Sequence, residues 1–285
     1  MWVRILKGNI DLHAHTTASD GTLTPAELVS LAKKTGLQAV AITDHDTIDG
    51  VQEALAAGER IGLEVVPGVE IGVNFKREMH ILGYFIDPQN PDLACSLALL
   101  REFRDQRNPR MVEKLREMGF DITMDEVIGE AGGKVIGRPH FASVMIKKGC
   151  VADFNEAFDK YLGAGKPAYV KKDKMTPQDG IELITGAGGI PVLAHPKYLE
   201  LQGDVNLEEL LRELITYGLK GIEVYYTTHT PEEVGRYSQL AGKLGLRLTG
   251  GSDFHGNNKR DIKLGRGSGN LAVGYELLEK LKQEF

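Results

Sequence analysis

The chain has 285 residues, 42% of them apolar, and a formal net charge of −6. That is enough for one large domain or one domain carrying a smaller one, and the acidic balance argues against a surface coated with positive charge for nucleic acid. No stretch reads as a membrane span or a signal peptide, so the cytoplasm is the expected location; Cys95 and Cys150 are too few for a disulfide framework and read as buried small residues.

The first candidate strand is IDLHAHT, residues 10–16. The two-residue period of a strand would put Asp11, His13 and His15 on one side and Leu12 and Ala14 on the other, with Asp20 on the loop beyond. Thr24-Pro25-Ala26-Glu27 then spells a helix start, with an N-cap, a proline at the first position and a capping box. AVAITDH (39–45) ends on His45 between Asp44 and Asp46, EVVPGVEI (64–71) carries Glu70, and MHILGYF (79–85) holds His80 near its start.

Residues 101–174 break this rhythm. They read as mostly helical, with Thr123 and Glu126 as another capping box, and hold 15 Lys and Arg against 12 Asp and Glu. Arg101, Arg104, Arg107 and Arg110 recur every third residue, which suits a solvated helix face as well as a binding stripe. Lys171, Lys172 and Lys174 could steer an anion or simply be solvated. The strand grammar resumes after Thr176-Pro177, with GIPVLAHP (189–196) delivering His195, GIEVYYT (221–227) delivering Glu223, and LRLTGGSDFH (246–255) delivering Asp253 and His255. A third start, Thr230-Pro231-Glu232-Glu233, separates the last two.

Seven strands alternating with capped helices predict an α/β fold with parallel strands. Polar groups collected at strand ends favour a barrel, and no GxGxxG or GxxxxGK loop is present. The expected organisation is a barrel from residues 1–100 and 175–285, with 101–174 as a helical insertion domain covering the substrate pocket.

Six of the eight histidines fall in or beside these short β segments. With Asp20, Glu70 and Asp253 they make nine groups, too many for one metal and suited to three that share ligands. Imidazole with carboxylate suits Zn, Mn or Fe(II), and a bridging carboxylate holds two ions at the spacing of hydrolytic sites. Glu223 can anchor a ligand histidine or an arginine, and Asp44 and Asp46 can orient ligand histidines from behind, with a turn or cap role before the next helix equally open for Asp46.

DLHAHTTASDG, ITDHDT, PGVEI, HILGYF, AHP and GSDFHG, in that order, resemble the PHP (polymerase and histidinol phosphatase) family of metal-dependent phosphoesterases. The resemblance implies a distorted seven-stranded (β/α) barrel with a trinuclear site, manganese first and iron or zinc next. It implies that His13, His15, Glu70 and Asp253 bind one ion, Glu70, His80 and His195 a second, and Asp20, His45 and His255 a third. GRPHFA and GIEVYYTTHTPEE are similar to the subgroup of nucleoside 3',5'-bisphosphate phosphatases and 5'-3' exoribonucleases.

The implied reaction is attack of a metal-activated hydroxide on a phosphate monoester of a small nucleotide, at the 3'-phosphate of a nucleoside 3',5'-bisphosphate. Arg138, His140, His229 and Tyr225 are the candidate substrate-binding residues: Arg138 can clasp a second phosphate with parallel hydrogen bonds, and one of Tyr225 and Tyr226 can face the pocket and stack on a base. The chain is taken as a monomer acting on a small phosphorylated substrate, with short single-stranded RNA as a further partner and no membrane. The alternatives are a 5'-3' exoribonuclease, a cyclic sugar-phosphate phosphodiesterase, an amidohydrolase-type C–N hydrolase and a non-catalytic metal-binding module.

Overall fold

In the computed structural model, which describes residues 9–131, 136–170, 175–201 and 204–284, the seven apolar runs pair into one sheet in chain order. The strands are β1 (Ile10–Asp11), β2 (Ala39–Ile42), β3 (Glu64–Val73), β4 (Met79–Tyr84), β5 (Ile190–Leu193), β6 (Gly221–Tyr226) and β7 (Arg247–Gly251). Leu12 N donates to Gly250 O at 3.2 Å and Asp253 N to His13 O at 2.9 Å, so the last strand meets the first and the barrel is nearly closed.

The strands are not all parallel as expected: β4 runs antiparallel to both β3 and β5. Residues 74–78 are too short a link for a crossover helix, so the chain must turn straight back. A strand that runs backwards begins where its neighbours end. His80, the second residue of β4, therefore reaches the same rim as Glu70.

The first strand is also shorter than expected. After Asp11 the chain leaves the ladder, and the simple alternation fails: Leu12 joins the barrel interior with Ile10, while Ala14 packs among the helices. Asp11 does not join the histidines. It accepts bonds from Ser252 N (2.8 Å) and Gly265 N (2.7 Å), tying β1 to β7 and the loop after it.

Helices α1 (Pro25–Lys34) and α2 (Val51–Ile61) follow the first two strands, and α3 (Pro91–Glu117), α4 (Met124–Ala131), α5 (Arg138–Lys147) and the one-turn α6 (Phe154–Ala157) lie between β4 and β5. Then come α7 (Pro177–Gly186), α8 (Asp204–Thr216), α9 (Pro231–Leu244) and α10 (Tyr275–Lys282). The capping boxes at Thr24, Thr176 and Thr230 all form, as does the Thr123–Glu126 pair before α4.

Three apolar cores result. One joins the outer barrel face to the helices, and a second fills the barrel interior with Ala39, Ala41, Val66, Leu82 and Val192 against Leu277, Leu278 and Leu281 of α10. The third lies within the helical segment around Met111, Leu115, Phe141 and Leu162. Helix α3 serves two of them: Leu93, Leu97 and Leu100 pack on the barrel, Met111, Val112 and Leu115 in the third core, and Pro109 lies inside the continuous helix just before the second set. Cys95 is exposed and Cys150 half-buried, against the expectation that both are buried, because Cys95 sits on the outward side of α3. Lys171, Lys172 and Lys174 lie outside the described residues.

Candidate metal centre

The interior alternation of the strands carries straight into the site. Glu70 shares the inward face of β3 with Val66, and His80 that of β4 with Leu82 and Tyr84. Two residues instead leave their strands through a left-handed backbone, His195 (φ 23°) and Asp253 (φ 57°), and Asp46 does the same beside His45 (φ 52°). Strained backbone of this kind gathers where side chains must be re-aimed; His195 would otherwise fall on the outward face of Leu193. Close approach also has a cost in side-chain space. A Cβ on Gly251 would stand 2.3 Å from the Cβ of His13, so only glycine lets β7 pass this loop.

All nine predicted ligands meet at this rim. Glu70 is the hub. Its Oε1 lies 2.7 Å from His80 Nδ1 and 3.0 Å from His195 Nε2. Its Oε2 lies 3.2 Å from His13 Nε2, 3.2 Å from His15 Nε2 and 3.1 Å from His45 Nδ1. Asp253 Oδ1 lies 3.2 Å from His15 Nε2, and Asp20 Oδ1 3.3 Å from His255 Nε2. Three sets have donor atoms close enough for one ion: His13, His15 and Glu70; His45, Glu70 and His80; and His15, Asp20, His45 and His255.

The residues fit divalent cations on a specific observation. Glu70 Oε2 has three imidazole nitrogens around it and no properly directed hydrogen bond, and His13 Nε2, both ring nitrogens of His15 and His195 Nδ1 are likewise buried without a properly directed hydrogen bond among the described residues. Buried polar atoms are paired in nearly every folded protein, so this many convergent orphans describe a set of ligand atoms. Charge agrees. Burial pushes His13 and His15 down, but Glu223, Glu70 and Asp253 outweigh it and hold His13 well above its ordinary value, while Asp253 and Glu70 hold His15 at about 9. Burial dominates at His45 and pulls it to about 3. Burial raises Glu70, Asp20 and Asp253, yet the surrounding imidazoles, with Lys259 beside Asp253, hold all three well below the usual carboxylate range. Cations entering such a site displace protons.

A layer of fixed groups holds the ligands. Glu223 Oε1 sits 2.9 Å from His13 Nδ1, and its Oε2 accepts from His195 N at 2.8 Å, so one buried carboxylate positions two histidines. Asp44 accepts from Thr16 N and Thr16 Oγ1, both at 2.7 Å, and from Ser19 Oγ; it fixes the loop bearing His15 and Asp20, not a histidine ring. Asp46 accepts from Gly72 N at 3.1 Å and ties His45 to β3.

The rim opens into a cavity of about 520 Å³ whose far wall is the helical segment. Arg138 lines it, at the start of α5, with Nη2 2.9 Å from Glu78 Oε1 and its guanidinium near the rings of Phe158 and Tyr169. The other three predicted substrate residues do not line it. His140 is buried behind this wall, its Nδ1 accepting from Gly137 N at 2.9 Å, and so fixes the start of α5. His229 is buried against Tyr226, with Nδ1 2.8 Å from Val224 O. Tyr225 packs between the two barrel cores. A bulge in β6 between Glu223 and Tyr225 shifts the alternation, so Tyr226 faces the site instead and donates to Asp253 Oδ2 at 2.7 Å. Tyr198, 40% exposed, sets its ring 5.2 Å from that of His195 at a tilt of 60° and lines the cavity with Arg107, Phe158 and Lys259. Tyr198 and Lys259 follow AHP and GSDFHG closely in sequence, and that proximity was the one signal for them.

Residues 11–168 match the PHP domain family. The chain belongs to the PHP family. It is 37% identical over 258 residues to the 3',5'-nucleoside bisphosphate phosphatase of Chromobacterium violaceum, covering 89% of this chain and 90% of the relative. It is 35% identical to the 5'-3' exoribonuclease of Haemophilus influenzae, over 86% and 89% of the two chains. The structure of a predicted metal-dependent phosphoesterase from Bifidobacterium adolescentis superposes with a TM-score of 0.87 at 34% identity, over 96% of each chain. Family and site together make this PHP protein a metal-dependent hydrolase of phosphate esters.

Proposed function

We propose that the chain removes the 3'-phosphate from nucleoside 3',5'-bisphosphates, using three divalent ions held by His13, His15, Asp20, His45, Glu70, His80, His195, Asp253 and His255, with manganese the first candidate. One observation carries the reading. A single carboxylate, Glu78, separates the ligand cluster from a guanidinium on the opposite wall: its Oε1 is 3.6 Å from His80 Nε2 and 2.9 Å from Arg138 Nη2. A substrate with two phosphates would place one among the ligands and the other at Arg138, displacing Glu78. The name of the Chromobacterium violaceum relative supports the same substrate.

Divalent ions at such a site supply a deprotonated water near neutral pH and charge for the phosphoryl oxygens. The chain's own residues do the rest. Glu223 holds the His13 ring with Nε2 turned to the cluster, Asp44 fixes the loop of His15 and Asp20, and Arg138 orients the substrate through its second phosphate. Residues 101–174 form, in this reading, an insertion domain whose role is to supply that wall. In this reading the chain acts as a monomer. Nucleotide chemistry supports the cytoplasm as the location.

Phosphate release in Mn2+ from 3'-phosphoadenosine 5'-phosphate, AMP and a 5'-phosphorylated oligoribonucleotide tests the proposal. Release from the bisphosphate with AMP left intact is the expected result. Activity confined to the oligonucleotide would replace it with the exoribonuclease reading, which the Haemophilus influenzae relative's name supports.

A further inference from the structure

Lys259 is used by none of the groups assigned so far, yet it stands at the reacting end of the cavity. It closes a short 3-10 turn, Gly256–Lys259, directly after His255. The turn is pinned to the loop of Asp20: Asn257 N donates to Thr22 Oγ1 at 2.9 Å and Asn258 Nδ2 to Asp20 O at 2.8 Å. Gly256 has φ +63°, and a Cβ there would lie 2.0 Å from Thr22 Oγ1, so the tight turn depends on glycine. The ammonium is thus delivered to a defined place.

That place is the outer oxygen of Asp253. Oδ1 turns inward to His15 Nε2 (3.2 Å), His255 Nδ1 (3.3 Å) and His13 Nε2 (3.6 Å). Oδ2 turns outward and receives the Tyr226 hydroxyl at 2.7 Å and Lys259 Nζ at 2.5 Å. Tyr226, buried, is sufficient to orient the carboxylate. Lys259 is built differently: its side chain is 39% exposed and lines the cavity. An ammonium has three donors and the bond to Asp253 takes one. The two arginines on the cavity wall serve elsewhere, Arg138 against Glu78 and Arg107 against Asn108.

We infer that Lys259 is a phosphate-binding residue of the reacting centre, contacting the phosphoryl group from the side of Asp253. The inference rests on the proposed phosphoesterase site but not on the identity of the ester. Phosphoryl transfer spreads negative charge over three equatorial oxygens, and a positioned cation acts on that charge. Lysine contributes it as a point charge, with no demand for a planar, two-pronged partner.

Orthophosphate, the product common to any phosphatase reading, is the probe. Mn2+-loaded wild type, K259M, K259R and Y226F are compared for metal content by elemental analysis and for orthophosphate affinity by calorimetry. Expected are wild-type metal content in K259M, orthophosphate binding weakened tenfold or more, and kcat/KM lowered on the order of 10²-fold, with K259R partly restoring both. Y226F is expected to weaken metal retention and to leave the orthophosphate affinity of the loaded protein near wild type. The inference is overturned if K259M binds orthophosphate like wild type, if it loses metal and phosphate together, which would make Lys259 a clamp on Asp253, or if the loaded wild type binds no orthophosphate. A wild type that ignores bisphosphates but shows the Lys259-dependent affinity would sink the substrate assignment and leave this inference standing.

Discussion

The barrel rim and the helical wall face each other across one cavity and are built on opposite terms. At the rim, His13, His15 and Glu70 are wholly buried, and fixed groups such as Glu223 and Asp44 stand behind the ligands. Position there is over-determined, and the left-handed backbone at His195 and Asp253 shows strain accepted to achieve it. On the wall, Arg138 is part-exposed and held by a half-exposed carboxylate and two aromatic faces. Such a contact exchanges readily for a ligand. The difference separates two tasks: the rim fixes chemistry, and the wall sets which molecule reaches it.

The strongest way to break this division is at its hub. Replacing Glu70 with alanine removes the carboxylate shared by five imidazoles. Loss of a mere supporting partner costs about 10–100-fold in metal affinity, so E70A is expected to exceed that and to lose turnover on every phosphate ester. Elemental analysis after gel filtration checks the metal, and an E70A protein with full metal and activity would refute the hub. Arg138→Ala should do something else. Removing charge-assisted hydrogen bonds to a second phosphate is expected to raise KM for the bisphosphate by about 10–100-fold while leaving metal content and hydrolysis of a simple monoester unchanged. An equal loss on both substrates would erase the distinction between rim and wall.

The smallest effect concerns His229, buried beneath Tyr226. Burial lowers its pKa below the ordinary 6.5, so the folded protein keeps it neutral. Below that ordinary value the unfolded chain takes up a proton that the folded chain does not, so stability is lost as pH falls from about 6.5 toward the folded value. H229F keeps a ring and cannot titrate. It should cost about 0.5–1.5 kcal/mol at neutral pH through the lost bond to Val224, and flatten the acid slope. Urea unfolding of both chelator-treated proteins at pH 7.5 and 5.5 measures this, and identical slopes would rule it out.

How much of this was legible in the sequence follows from the range over which each signal acts. The capping boxes were readable because Thr24 and Glu27, or Thr230 and Glu233, speak only to residues three apart. The nine candidate ligands were readable because they lie in or beside short apolar runs, with Asp20 alone on a following loop. The reversal of β4 is written in the five-residue link 74–78 and not in the apolar pattern of the strands it joins. Which of Tyr225 and Tyr226 faces the site is not legible from alternation, which assumes a regular strand, because β6 contains a bulge. Chemistry alone makes His140 and His229 candidates for the pocket, but whether a histidine faces a cavity or lies behind its wall depends on packing between distant segments. Lys259 carries only the weak signal of following GSDFHG, because its contact with Asp253 exists only once the turn has folded.

Helix α3 has a consequence for how such proteins can diversify. Its first half belongs to the barrel through Leu93, Leu97 and Leu100, and its second to the helical core through Met111 and Leu115, with Pro109 near the seam. The described residues after that seam, up to residue 170, share an apolar interior of their own. A recombination point there would let one lineage trade the whole wall for another's, changing its diet of phosphate esters while inheriting the catalytic machinery untouched.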